Sequence, residues 1–100
     1  MSDRTDTFIN LMAFQVEWAY YGGTTNSDSN QVAEVTSTLQ SFLDRNPKVS
    51  INNNTFGDPA PYASKAFMAK VSQNGIPRVF AAQENQEINF AVTNETVQSK

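Results

Sequence analysis

A stretch near the end of the chain, NGIPRVFAAQENQEINF from Asn74 to Phe90, constrains the fold more than any other part of the sequence. It contains two apolar runs, RVFAA and EINFAV, which are separated by the polar residues QENQ. Two short apolar runs around a loop of about four residues are typical of a β-hairpin. Pro77 stands at the entrance of the first run, where its missing N–H is harmless. The stretch therefore predicts two antiparallel strands that end the fold.

The segment MAFQVEWAYYGG predicts a strand over residues 12–21. On a helix its apolar residues would wrap around the whole circumference, whereas on a strand they sort to one face. Gly22 and Gly23 then predict a turn. Residues 3–10 are interpreted as a helical turn or a lead-in. The strand face predicted to be apolar consists of Met12, Phe14, Val16, Trp18 and Tyr20.

The clearest helical signal follows a polar loop, TTNSDSN, whose last residues are suited to cap a helix. The helix should end at Asn46, because Pro47 disfavours helical geometry in the residue before it. Its apolar stripe, with steps of three and four residues, consists of Val32, Val35, Leu39, Phe42 and Leu43.

A short strand, KVSIN, and a loop, NNNTFGDPAP, come next. Asp58 is a candidate helix cap and Pro61 suits a first helical turn. Gly75 is the expected helix stop, in the left-handed conformation that glycine adopts easily. These signals predict a second helix between Pro61 and Gly75, with an apolar side made of Tyr62, Ala66, Phe67, Ala69 and Val71.

The resulting order is β-α-β-α-β-β, which predicts a small α/β domain with a mixed four-stranded sheet and two helices. The first two strands should be parallel, joined by a right-handed crossover, and the last two antiparallel. We expect residues 1–100 to form one domain, with residues 1–10 as a lead-in and residues 94–100 as a loose tail.

This order and the closing stretch together resemble the thioredoxin fold, in which a cis-proline precedes a strand-turn-strand unit similar to NGIPRVFAAQENQEI. Trp18-Ala19 is similar to the dipeptide that precedes the Cys-x-x-Cys motif of that family, but no cysteine follows it. The resemblance implies a redox-inactive thioredoxin-like protein with a cis peptide bond before Pro77, whereas a proline that only opens a strand needs none. The loop GGTTNS is similar to one in KaiB clock proteins, which are redox-inactive relatives.

The composition excludes several kinds of chemistry. With neither cysteine nor histidine, the chain has no thiol nucleophile and lacks the commonest general base and metal ligand. The net charge is −3 and the seven basic residues do not cluster, so nucleic-acid binding is disfavoured. Because there is no export signal and no long apolar run, we expect no membrane partner and a soluble protein, either cytoplasmic or part of a virion.

Three groups of polar residues are candidates for metal binding or catalysis. Asn26, Asp28 and Asn30 alternate like the first ligands of a calcium loop, but the glycine and glutamate expected further along are absent. Glu84 and Glu87 should be solvated near the hairpin turn. Ser64 and Lys65 are neighbours that a helix would point about 100° apart. We therefore predict no catalytic residues, no metal site and no cofactor.

The sequence favours a non-catalytic protein-protein interaction or regulatory module. A sheet with two helices leaves apolar surface that another protein or a second copy could cover, and exposed edges beside EINFAV or KVSIN could accept a strand. The alternative is a structural subunit of a virus particle or other assembly, followed by a small carboxylate-dependent enzyme. The candidate contact residues are Trp18, Tyr20, Tyr21, Ile76 and Pro77.

Overall fold

The computed structural model describes residues 13–24 and 31–91 of the chain, which contain six strands and two helices. The second helix is a single turn. The elements, in chain order, are β1 Phe14–Gly23, β2 Val32–Glu34, α1 Thr36–Leu43, β3 Lys48–Ile51, α2 Asn53–Phe56, β4 Lys65–Gln73, β5 Ile76–Gln83 and β6 Gln86–Asn89.

Four of the strands form an antiparallel sheet in the order β2-β1-β4-β5. A tight hairpin joins β4 to β5, and its two turn residues, Asn74 and Gly75, have φ values of 53° and 85°. Positive φ at both central positions is what a type I′ turn requires, and Asn-Gly is the dipeptide that adopts it most readily. This turn fixes the register in which β4 pairs with β5.

A β-bulge in β1 reverses the alternation of its side chains. The register with β4 shifts between Val16 and Trp18, so Glu17 is the extra residue. Before the bulge Val16 points into the core, and after it Ala19 and Tyr21 do so. The sequence prediction placed Val16 and Trp18 on one face; the bulge places them on opposite faces.

Helix α1 replaces a missing strand along part of β1. Strand β2 pairs with only residues 20–22 of β1, so the first part of that edge lacks a strand partner. The Gln40 side chain accepts from the N–H of Val16 at 2.8 Å and donates to the carbonyl of Phe14 at 3.1 Å. The Thr36 hydroxyl accepts from the N–H of Ala19 at 3.1 Å. Side chains of one helix thus satisfy backbone groups that would otherwise be unpaired.

A second layer covers one face of the four-stranded sheet. It consists of α1, the two-stranded antiparallel sheet β3-β6, and α2. Contacts between aromatic rings run from Tyr21 through Phe56 and Phe67 to Phe90 and Phe80, with centroids 4.6 to 6.3 Å apart. The other buried apolar residues of the core are Val16, Ala19, Val35, Leu39, Leu43, Val49, Ile51, Ala69 and Val71.

The structure confirms the α/β class, a four-stranded sheet, the first strand, the KVSIN strand and the amphipathic helix. The helix begins at Thr36 rather than near the polar loop, because residues 32–34 pair with β1 instead. Its N-cap is Val35, which makes no side-chain capping bond. Gly22 and Gly23 lie within β1 rather than in a turn.

Three predictions of topology are wrong. The sheet is antiparallel throughout, so the parallel crossover is absent from the described residues. The segment predicted as the second helix is strand β4, in which Lys65, Phe67, Ala69 and Val71 alternate into the core. The closing strands β5 and β6 do not pair as a hairpin, because β6 crosses to pair with β3.

The thioredoxin-like fold is not confirmed. No cis peptide bond occurs among the described residues, so the bond before Pro77 is trans, and Pro77 is simply the second residue of an outer strand. Several predictions concern residues outside the described ranges: the lead-in at residues 1–10, the loop with Asn26, Asp28 and Asn30, and the tail at residues 94–100.

Replacing Gln40 with methionine tests the link between α1 and β1. The change keeps most of the side-chain volume but leaves the Val16 N–H and the Phe14 carbonyl without their partner. We expect the free energy of unfolding to fall by about 1–3 kcal/mol, the usual effect of unpairing buried backbone groups. Urea denaturation measures this, with exposed Gln15→Met as the control. Equal effects of both substitutions would contradict the role assigned to Gln40.

Candidate interaction surface

The outer face of the four-stranded sheet, opposite the second layer, carries several exposed apolar side chains and is not covered by any described residue. Paired residues of antiparallel strands point to the same face, so the register defines which side chains share it. Tyr20 is 45% exposed, Met68 49% and Val79 60%. The rows across this face are Glu34-Tyr20-Met68-Ala81, Trp18-Lys70-Val79 and Val32-Gly22-Ala66-Gln83.

An open groove of about 650 Å³ lies on this outer face. Its floor has small residues, Gly22 and Ala66, and larger side chains such as Tyr20, Val32 and Met68 border it. Gln83 and Gln86 contribute amide groups, and no charged residue lines it. The groove is therefore suited to an apolar or aromatic group with a neutral polar end.

Gly22 is required where the groove meets β2. A Cβ atom at this position would lie 2.5 Å from the backbone oxygen of Gln31 and 2.6 Å from the Cα of Val32. Only glycine lets the two backbones approach so closely. The same missing side chain leaves room in the groove.

Polar side chains lie on the outer face beside the apolar rows. Glu17 accepts a hydrogen bond from the Ser72 hydroxyl at 2.7 Å and lies 3.6 Å from the Lys70 ammonium. The Ser72 bond, with help from Lys70, lowers the pKa of the Glu17 carboxyl. Lys70 stands between Trp18 and Val79, so this ion pair lies within the outer face and not at its margin.

The five contact residues predicted from sequence separate into different environments. Trp18 and Tyr20 lie together on the outer face, with ring centroids 6.0 Å apart. Tyr21 is completely buried, so the prediction that it contacts a partner is corrected: the bulge directs it into the core. Ile76 and Pro77 are exposed at the start of β5, and Pro77 shares the outer face.

Sequence reasoning missed Met68 because it assigned β4 to a helix. It placed Val79 and Ala81 correctly in the strand RVFAA but did not name them as contact residues. The available signal was Asn74-Gly75 between two alternating segments, which is typical of a two-residue hairpin. Val32 was assigned to the helix stripe, but it lies on strand β2 and is 43% exposed.

A buried lysine, Lys65, links three chain segments at the start of β4. Its ammonium group lies 3.1 Å from the Asp58 carboxylate and 3.7 Å from that of Glu84, and it donates to the Ala63 carbonyl at 2.7 Å. An ammonium has three protons, and three acceptors surround this one. The prediction that Glu84 is simply solvated is corrected, and Lys65 is occupied structurally rather than free to react.

Burial also perturbs Tyr21. Its hydroxyl donates to the side-chain oxygen of Asn53 at 2.7 Å. Desolvation, followed by the negative charges of Glu84 and Asp58, raises the pKa of the Tyr21 phenol to about 12. The neutral hydroxyl is therefore strongly favoured, which suits a hydrogen-bond donor within the fold.

Residues 13–24 and 31–91 contain no cluster of three or more potential ligands placed to hold a metal ion. Neither of their helices has the length and apolar character needed to cross a bilayer.

Comparisons of the chain with protein-family models, with curated proteins and with solved structures give no match. The outer face is therefore interpreted from its own geometry.

Replacing Lys65 with alanine should destabilise the fold. The change leaves Asp58 and Glu84 facing each other without their counter-ion, and we expect a loss of about 2 kcal/mol, less than for a fully buried pair because Asp58 is partly exposed. Chemical denaturation measures the loss. The exposed Lys48→Ala serves as control, and equal stability of the two variants would show that the buried ion pairs are unimportant.

The raised pKa of Tyr21 predicts that the fold loses stability at alkaline pH. A folded-state pKa near 12, above the value of about 10 in an unfolded chain, contributes stability that is complete below pH 10 and disappears as the pH rises towards 12. Subtracting the phenolate absorbance of Tyr21→Phe from that of the wild type isolates this group. We expect the isolated titration near pH 12 or together with unfolding; a midpoint near 10 in the folded protein would contradict the assignment.

Proposed function

We propose that this chain is a non-catalytic protein-binding module that binds another protein, or a second copy of itself, through the outer face of its four-stranded sheet. The observation that supports the proposal is the uncovered apolar surface centred on Tyr20, Met68 and Val79. Aqueous exposure of these apolar side chains is unfavourable, and burying them against a partner releases that free energy.

The composition of the surface also favours protein binding. Tyrosine, tryptophan and methionine, which are enriched in the buried centres of interfaces, are contributed here by Tyr20, Trp18 and Met68. The charged groups of Glu17 and Lys70 pair with each other, so a partner need not neutralise either of them.

Binding through the outer strand edge is less favourable than binding through the face. Pro77 lacks an N–H, and the N–H of Gln83 already donates to the Gln86 side chain at 2.8 Å. Arg78 is paired with Val71 on the covered face, and a charged residue pointing inwards opposes pairing with another strand. These features make the β5 edge less suited to an added strand, and the face is the preferred surface.

Catalysis has weaker support than binding. The pocket beside Lys65 is lined by Thr24, Ser64 and Glu84, but the lysine donors are occupied by Asp58, Glu84 and Ala63. Ser64 is exposed, and its carbonyl accepts from the N–H of Thr24 at 3.1 Å. This arrangement holds the start of β4 in place rather than presenting a nucleophile with a free base.

Replacing Met68 with glutamate tests the proposal. A carboxylate at the centre of the surface would have to be desolvated in any complex, so we expect affinity to fall at least about tenfold while the fold survives. Complexes formed in a lysate of the source cells are cross-linked and identified by mass spectrometry, and self-association is measured by sedimentation velocity.

The matched control is Ser37→Glu, which adds the same charge on the exposed side of α1. Circular dichroism verifies that both variants are folded. The proposal predicts that complexes formed by the wild type persist in Ser37→Glu and disappear in Met68→Glu. Complexes that persist equally in both variants, or the absence of any complex of the wild type, would overturn it.

A further inference from the structure

Tyr62 occupies a turn position that a tyrosine rarely adopts. The N–H of Ala63 donates to the carbonyl of Ala60 at 3.0 Å, which closes a turn with Pro61 and Tyr62 at its centre. Proline at the first central position and a φ of +67° at the second define a type II turn. The second position favours glycine, which has no Cβ, or asparagine, whose short polar side chain can hydrogen-bond locally; other side chains are strained there.

Folding of the chain does not explain why a tyrosine occupies this position. Ala60, at the start of the turn, is completely buried and anchors the loop, whereas the Tyr62 side chain is fully exposed. Within the described residues, the phenol makes no contact that would offset the strain. A strained and exposed aromatic residue is a candidate for contact with another molecule.

We infer that Tyr62 of one copy inserts into the outer-face groove of a second copy. The inference rests on the proposed function and specifies its partner. The groove, at about 650 Å³, has room for a phenol ring, and its lining is uncharged like the ring. Gln83 and Gln86 bring amide groups that can hydrogen-bond a phenol hydroxyl.

Reciprocity favours a second copy over an unrelated aromatic ligand. Each copy carries both the exposed ring and the groove, so a two-fold arrangement forms the same contact twice. An aromatic side chain buries about 150–250 Å², and two rings with their matching groove surfaces would bury about 600–1,000 Å². This area is below the roughly 1,200 Å² of a standard stable interface, so the pair is a weak, reversible dimer.

The experiment uses two full-length variants, alone and mixed, in sedimentation velocity over a concentration series reaching about 1 mM, where a weak complex is populated. Tyr62→Asn removes the ring but suits a positive φ, so its melting temperature should equal or exceed that of the wild type. Met68→Glu blocks the groove but keeps the ring. We expect each variant alone to associate at least about tenfold more weakly than the wild type.

A mixture of the two variants should recover part of the association. It pairs an intact ring from the Met68→Glu chain with an intact groove from the Tyr62→Asn chain, so one of the two contacts can form. Mere destabilisation of either chain would give no such recovery. Tyr62→Phe, which retains the ring, should associate within about threefold of the wild type, because only the hydroxyl contact is lost.

The outcomes separate this inference from the proposed function. A wild type that stays monomeric throughout the series, or a mixture without recovery, overturns the insertion of Tyr62. If Met68→Glu abolishes complexes and Tyr62→Asn leaves them unchanged, the outer face still binds a protein but not through this ring. If neither variant changes any complex, both the inference and the proposed function fail.

Discussion

The fold depends on how the first half of β1 satisfies its free edge. Strand β2 reaches only residues 20–22 of β1, and the remaining groups need partners that are not strand backbone. Gln40 supplies an acceptor and a donor together, and Thr36 supplies a second acceptor. Because both side chains belong to α1, the hydrogen bonds that complete the sheet also hold the helix against it, with Leu39 and Leu43 buried between them. The position of α1 therefore determines which face of the sheet is covered.

The β-bulge at Glu17 decides which aromatic residues remain outside. Without the extra residue, the side chains that follow it would exchange faces, since the period of a strand is two. Tyr20 would then enter the core, and Tyr21 would lose the hydrogen bond to Asn53 that satisfies its hydroxyl. The observed register instead buries the tyrosine that has a polar partner and places the other beside Met68. The bulge thus determines two things: that the buried tyrosine has a hydrogen-bond partner, and that Tyr20 lies on the outer face.

Sequence reasoning reached the α/β class and the elements whose signals are local, such as the helix containing Leu39 and the KVSIN strand. It failed where a residue type supports two structures. Gly75 suits both a helix end and a tight hairpin, and Ala66 to Val71 contains residues that a helix also accommodates. The alternation of apolar and polar residues along β1 does not reveal the bulge, so the faces on which Trp18 and Tyr21 lie could not be assigned from sequence. The pairing of β6 with β3 depends on long-range contacts, and the spacing of apolar residues within each segment does not predict it.

Two features of this chain oppose what stability and solubility alone would favour. At Tyr62, asparagine or glycine would relieve backbone strain, and at Met68 and Val79, polar side chains would suit the exposed positions better. Sequences usually depart from such local preferences at functional sites. One departure leaves an aromatic ring exposed. The other leaves apolar side chains exposed on the outer face, where Met68 lines an uncharged groove large enough for a ring. The proposed contact between two copies of the chain would explain both departures.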